Sequence, residues 1–356
     1  MRPLFHNIYH NKNVLLTGHT GFKGSWMSLW LEKLGAKVTG FSLSQPSEPF
    51  HFSLLRSGVR DERGDIGDYK SVEAVLRNTQ PEIVFHFAAQ PLVRRSYQDP
   101  IGTYRTNVLG SLNLLEACRN IGGIQAVVMI TTDKCYENKE WVWGYRENDR
   151  LGGYDPYSSS KACCEIMTAS FRNSYPSEML IATCRAGNVI GGGDWAADRL
   201  IPDLIRAAAK NETTKIRMPG ATRPWQHVLE PLSGYLLLGQ YLLENKKTFA
   251  DAWNFGPGTE GNRTVKKVTE IARSCWERIN VDLVPDSALH EASNLMLDCS
   301  KAKRYLHWTP TWEIEQGIVK TIEWYKTFYE TGNIISAQQL ETFIENAQKA
   351  GHCWTK

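Results

Sequence analysis

Tyr157 and Lys161 stand four residues apart in a helical pattern, which stacks a phenol and an ammonium on one face. A phenol titrates near ~10 in solution and a neighbouring ammonium favours its phenolate, so the pair supplies a base for a carbinol proton as hydride leaves. Upstream, Thr132, Asp133 and Lys134 directly follow an apolar run. Thr132 offers a hydroxyl to polarise a carbinol. Asp133 and Lys134 add an acid and a potential base that simple alcohol oxidation does not need, so together they suggest proton transfer beyond oxidation. An ion pair on a loop would also account for those two residues. A third group is Gly18-His19-Thr20-Gly21-Phe22-Lys23-Gly24, whose glycines let a backbone turn tightly and approach a pyrophosphate at a helix N-terminus.

The elements that must position these groups read as a βαβ series. NVLLT from Asn13 runs into the glycine loop, followed by a helix over Gly24 to Leu34, AKVTGF, a helix over Tyr69 to Thr79, and EIVFHF. A long helix (Gly102 to Cys118), a strand (Gln125 to Thr131), a helix (Pro156 to Tyr175) and a strand (Leu180 to Arg185) continue it. Continuous apolar runs of this kind suit a parallel sheet covered on both faces, here of six or seven strands. The expected fold is therefore α/β, a Rossmann-type doubly wound parallel sheet, with a smaller mixed α/β substrate lobe. The domains read as 1–185, with 223–256 partly returning to it, then 186–330 as the lobe and 331–356 as a polar, helix-prone tail. Helices are expected over Ile201 to Lys210, Pro231 to Glu244 and Val265 to Arg278.

Placement between the first strand and first helix makes the glycine trio a dinucleotide signature rather than a turn. The end of the second strand reads Phe41-Ser42-Leu43-Ser44, without the acid that holds adenosine ribose hydroxyls and without an arginine for a 2′-phosphate. NAD is thus a preference over NADP.

Composition narrows the function further. The 356 residues carry 41 Lys and Arg against 38 Asp and Glu, without a basic run that would track a phosphate backbone, so nucleic acid is not expected as a partner. No apolar stretch reaches bilayer length, and Met1 to Lys12 lacks an apolar signal core, so no membrane association and a cytoplasmic location are expected. The eight cysteines form no CxxC pair and read as reduced thiols, with no metal.

The sequence resembles the extended short-chain dehydrogenase/reductase superfamily over nearly its full length. The supporting residues are Gly18, Gly21 and Gly24, Asp65-Ile66, Phe87-Ala88-Ala89-Gln90, Asn107, Thr132, and Tyr157 with Lys161. Later come Arg185-Ala186-Gly187-Asn188, Arg199-Leu200-Ile201-Pro202, Arg223-Pro224-Trp225 and Asn254-Phe255-Gly256. Thr132-Asp133 followed by an ionisable residue is similar to the sugar-nucleotide 4,6-dehydratases, most of which have Glu where Lys134 stands. TTDKCYENKEWVWGYREND, RAGNVIGGGDW and RPWQHVLEPLSGYL resemble the branch acting on CDP-glucose.

The resemblance implies NAD held by Gly18, Gly21, Phe22, Gly24, Asp65, Ile66, Phe87, Ala88, Ala89, Asn107, Tyr157 and Lys161. It implies a nucleotide sugar held by Gln90, Asn188, Arg199, Leu200, Arg223 and His227. Tyr157 would oxidise C4 with NAD, Asp133 would protonate the departing C6 hydroxyl, and hydride would return to C6; Lys134 is either the C5 base or an electrostatic stabiliser. It also implies a homodimer through the helices 102–118 and 156–175, with Leu109, Leu112 and Cys118 as possible apolar contacts. A 4-epimerase, a dehydratase of dTDP- or GDP-sugars, and a non-catalytic NAD-binding scaffold are the rival readings.

Overall fold

The computed structural model describes residues 3–43, 48–175, 178–216, 218–258, 261–284 and 295–356. Seven parallel strands form its centre: β1 (Asn13–Thr17), β2 (Lys37–Ser42), β3 (Arg60–Arg63), β4 (Ile83–His86), β5 (Ala126–Ile130), β6 (Leu180–Arg185) and β7 (Ala252–Asn254). Their order is β7-β6-β5-β4-β1-β2-β3. The order reverses between β1 and β4, and such a switch opens a crevice at the carboxyl ends of the strands.

Strand pleating sends alternate side chains to opposite faces. Leu15, Val84 and Val127 accordingly enter one core with Val72, Leu76, Leu114 and Phe171. Val14, Leu16, Phe85 and Val128 enter the other with Trp26, Leu236 and Trp253. The first core is covered by α2 (Tyr69–Thr79), α3 (Gly110–Ile121) and α4 (Pro156–Ser174); the second lies under α1 (Phe22–Lys33) and, later in the chain, α6 (Leu229–Leu243). Asp155 caps α4 by accepting from Ser158 N at 2.9 Å, and Pro156 occupies its first turn, where a missing N–H costs nothing.

The expected helix over 102–118 is more elaborate. A short helix (Pro100–Tyr104) passes through a wide π-type turn (Arg105–Leu109) into α3. That turn places Asn107 inside, with its carbonyl accepting from Ser111 Oγ at 2.6 Å and from the Cys164 thiol. The charged edge strand β3 (RDER) has no apolar run and escaped the pattern reading; its pairing with β2 comes from the fold.

Beyond β6 the chain forms α5 (Leu200–Ala209), placed just before α6, then α7 (Val265–Cys275), along with short strand pairs that join Thr213–Ile216 to Asn280–Leu283 and Thr222–Pro224 to Asn262–Thr264. Between α6 and α7 the chain returns to the sheet as β7, so the stretch 223–256 supplies both a sheet edge and a covering helix.

The tail is a structural part of the molecule. Following α8 (Ile314–Thr331), α9 (Ser336–Ala350) buries Leu340, Phe343 and Ile344, and Trp354 stacks on Phe5 at 5.2 Å. His51 links α1 to α9, its ring bonded to Ser25 Oγ at 2.8 Å and Ser336 Oγ at 2.7 Å. Among the described residues, no helix is long and apolar enough to cross a membrane.

Candidate active site

The glycine loop connects β1 to α1 at the switch point. Gly18 sits at φ +73°, and a Cβ there would lie 2.7 Å from Ala88 N; one on Gly24 would lie 2.2 Å from Gly18 O. Only glycine lets the loop close, and Gly21 begins α1 without a side-chain cap, as a helix terminus awaiting an anion would. Phe22 is half-buried against the core. Thr17 accepts from Ala88 N at 3.2 Å and its carbonyl from Phe87 N at 3.0 Å, which fixes the neighbouring strand end; Ala89 is half-buried beside them. Asp65 Oδ1 caps its own turn through Gly67 N at 2.8 Å, and Ile66 presses against Gly110. These features fit a dinucleotide lying along the crevice.

His19 and Lys23, inside the loop, were not singled out from sequence. The buried His19 ring bonds Asp61 at 2.9 Å and Ser42 at 3.2 Å, anchoring the loop to β3 and β2 where the ribose acid is missing. Ser44 lies outside the described residues. Burial, with Arg199 close by, lowers the Lys23 ammonium to about 8, while Asp133 opposes the shift. A charged residue between two fingerprint glycines was the available signal.

After β5 the chain bends at Thr131 and Thr132 into a short turn, Asp133–Cys135. Asp133 is 1 % exposed; Oδ1 accepts from Thr132 Oγ1 at 3.0 Å, and Oδ2 has no partner among the described residues. Burial raises its pKa, opposed first by the half-buried Lys134. A Cβ on Gly187 would fall 1.8 Å from Asp133 Oδ2, so glycine there makes room for the carboxyl.

Tyr157 and Lys161 occupy one face of α4 and are both buried. Burial pushes the Tyr157 phenol up to about 12, with the Thr132 side chain and the Arg199 charge pulling it back. The cation acting on the phenol is therefore Arg199, whereas Lys161 Nζ donates to Ile130 O at 3.3 Å and burial lowers its own pKa. Asn107 braces the arrangement: its side chain bonds Gln90 N at 2.8 Å and Ser160 Oγ at 2.8 Å.

The expected sugar-nucleotide residues divide. Arg199, at the start of α5, pairs with Asp194 at 2.8 Å and lies near Tyr157; Leu200 opens the helix after it. Arg223 acts on Asp133 from the Thr222–Pro224 strand, and half-buried Asn188 holds φ +39°. Gln90 instead uses its amide on Leu92 and Thr103, and His227 is buried in the aromatic core, 4.9 Å from the Trp312 ring.

A doubly wound sheet with a glycine loop at its switch point and a buried Tyr/Lys helix beside it define a Rossmann-type α/β protein. Residues 15–321 match the model of the family described as GDP-mannose 4,6 dehydratase, and the chain belongs to that family. It is 46% identical over 345 residues to a Salmonella typhimurium protein named CDP-glucose 4,6-dehydratase, covering 94% of this chain and 96% of that one. An epimerase structure from Methanothermobacter thermautotrophicus superposes with TM-score 0.81 at 25% identity, covering 92% of this chain and 95% of the other. A dTDP-glucose 4,6-dehydratase structure from Bacillus anthracis, in complex with NAD, gives TM-score 0.73 at 22% identity, covering 89% and 97%. The last comparison concerns the fold alone.

Proposed function

We propose that the protein converts CDP-D-glucose to CDP-4-dehydro-6-deoxy-D-glucose and water, as an NAD-dependent hydro-lyase. The reading is carried by Asp133: a buried carboxyl held toward its protonated form, placed at the sheet edge with Thr132 and Tyr157. Similarity to the named Salmonella relative supports the choice of CDP-glucose.

Bound NAD supplies the acceptor and later donor of the hydride. Thr132 orients the C4 hydroxyl and Tyr157 accepts its proton; the positive charge of Arg199 favours the phenolate, with Lys161 one turn further along the same helix. Oxidation at C4 makes the C5 proton acidic. Asp133 donates to the C6 hydroxyl as it leaves, a role that needs a carboxyl with a raised pKa. Lys134 has two roles open to it, C5 base or stabiliser of the enolate, and C5 proton exchange in Lys134→Met separates them. Arg199, Arg223 and Asn188 take the diphosphate, for which a guanidinium fork is well shaped.

A 4-epimerase would share the cofactor and Tyr157 but would have no use for an acid such as Asp133. Incubation with CDP-glucose tests the reading: a product lighter by one water, with the alkaline ultraviolet absorbance of a 4-keto-6-deoxy sugar, is expected. Formation of the C4 epimer alone would overturn it, and parallel assays with dTDP- and GDP-glucose decide the base.

We further propose a homodimer through the helices spanning 102–118 and 156–175. Ile101, Leu109, Leu112 and Ile166 are exposed along them, whereas Cys118 is in the core and cannot contribute. Sedimentation of Leu109→Glu against the native protein tests it.

A further inference from the structure

Behind the catalytic turn lies a buried polar network that the reaction described above does not use. Glu165 sits one helical turn past Lys161 on α4, is 3 % exposed, and accepts from the Thr131 hydroxyl on one oxygen. Its other oxygen accepts from Thr183 Oγ1 at 2.7 Å and from Arg185 at 2.8 Å. Arg185, equally buried at the end of β6, donates to Tyr136 Oη at 2.8 Å and to Glu147 O at 2.9 Å. Tyr136 donates in turn to Asn254 Oδ1 at 2.7 Å, on β7.

Thr131 and Tyr136 stand immediately before and two residues after Thr132-Asp133-Lys134. The network therefore grips the turn at both flanks and ties it to the helix that carries Tyr157 and Lys161. A buried ion pair gives little net stability against an apolar replacement, but its multiple directed bonds fix geometry. Burial would raise Glu165, yet Arg185 and the hydroxyl donors hold it below the usual carboxylate range, so the clamp stays ionised.

We propose that Glu165, Arg185, Thr131 and Tyr136 are positioning residues that hold the Thr132-Asp133-Lys134 turn in register with Tyr157 and Lys161, so that water loss keeps pace with oxidation at C4. The inference rests on the dehydration reading above. Oxidation breaks the C4–H bond, sends its electron pair to NAD as hydride and the O4 proton to Tyr157, and leaves NADH beside a 4-keto glucose. Hydride would return to C6 only once the C5 proton has been removed and Asp133 has protonated the departing O6, which leaves as water. A turn displaced by a fraction of an ångström touches both events through Thr132, but slows the second more, because its acid Asp133 rides on the turn whereas the base of the first, Tyr157, stands on α4.

The test compares Thr131→Val and Tyr136→Phe, each lacking one hydroxyl, with Thr168→Val, which loses a buried hydroxyl on the same helix outside the network. At saturating NAD and CDP-glucose, the two clamp variants are expected to lose about 10-fold to 10²-fold in kcat, with KM little changed and reduced nicotinamide accumulating above the native level. Thr168→Val is expected to behave as native. Native kcat in both clamp variants, or slowed turnover without reduced nicotinamide, would overturn the proposal. Failure of the native protein to release the 4-keto-6-deoxy product would instead sink the functional reading. Glu165→Gln provides an independent variant, with the same accumulation expected.

Discussion

Glu165 and Glu230 are the same residue type, buried to 3 % and 1 % exposure, and they exist in opposite states. Glu165 faces Arg185 and two hydroxyl donors and is held ionised. Among the described residues, Glu230, on α6, accepts only the backbone N–H groups of Thr311 and Trp312, each at 2.8 Å, and burial pushes it up to about 8. Asp133 is a third case: among the described residues it accepts from the Thr132 hydroxyl, and burial raises its pKa against the nearby charge of Lys134. The number and charge of the partners, at constant burial, decide whether a carboxyl acts as a charged brace, a neutral cap or a proton donor. The molecule keeps its charged brace behind the chemistry and its neutral cap in the apolar core of the opposite face.

Removing the brace's cation should give the largest effect. Arg185→Met leaves Glu165 buried without its partner, and denaturant unfolding at neutral pH is expected to show a loss of about 3–5 kcal/mol. A loss below about 1 kcal/mol would mean the brace is no more than an exposed pair. Next, Gly187→Ala drives a methyl into Asp133 Oδ2. Product release from CDP-glucose is expected to fall about 10²-fold while C4 oxidation persists; equal loss of both would place Asp133 in the oxidation step.

Glu230 sharpens the comparison through pH. Its folded pKa is raised, so the folded state binds more protons than the unfolded one between about 4.5 and about 8. The stability it contributes is therefore complete below pH 4.5 and is lost as pH rises through about 8. Glu230→Gln loses one acceptor, costing about 1 kcal/mol at pH 5, and should equal or exceed the native protein at pH 8. A constant difference across that range would show that Glu230 is already ionised. The smallest effect belongs to the exposed Lys33–Glu341 pair between α1 and α9. Glu341→Ala should change unfolding by less than about 1 kcal/mol, and added salt should erase the difference.

Much of the scaffold was readable in advance because a buried parallel strand announces itself as an apolar run. Leu180–Arg185 and Tyr69–Thr79 fall where their patterns put them. Edge strand β3 was not readable, since its charged residues resemble a loop until β2 supplies its hydrogen-bond partners. The groups converging on the crevice were legible from their types and spacing, including Tyr157, Lys161 and Asp133. Others needed coordinates. Glu165 and Arg185 lie 20 residues apart on a helix and a strand, and only the fold joins them. His227 looked suited to a ligand, but Trp26 and Trp312 surround it. The tail's polar sequence hid an apolar stripe, Leu340, Phe343, Ile344 and Ala347, that seals the α1 side of the molecule.

Rapid mixing of Asp133→Asn with CDP-glucose at saturating NAD, followed by near-ultraviolet absorbance and product analysis, probes the acid role of Asp133 most directly. Reduced nicotinamide should appear and persist, with the 4-keto-6-deoxy product formed about 10²-fold to 10⁴-fold more slowly than in the native protein. Release of that product at the native rate would contradict the assignment, as would the absence of any reduced nicotinamide.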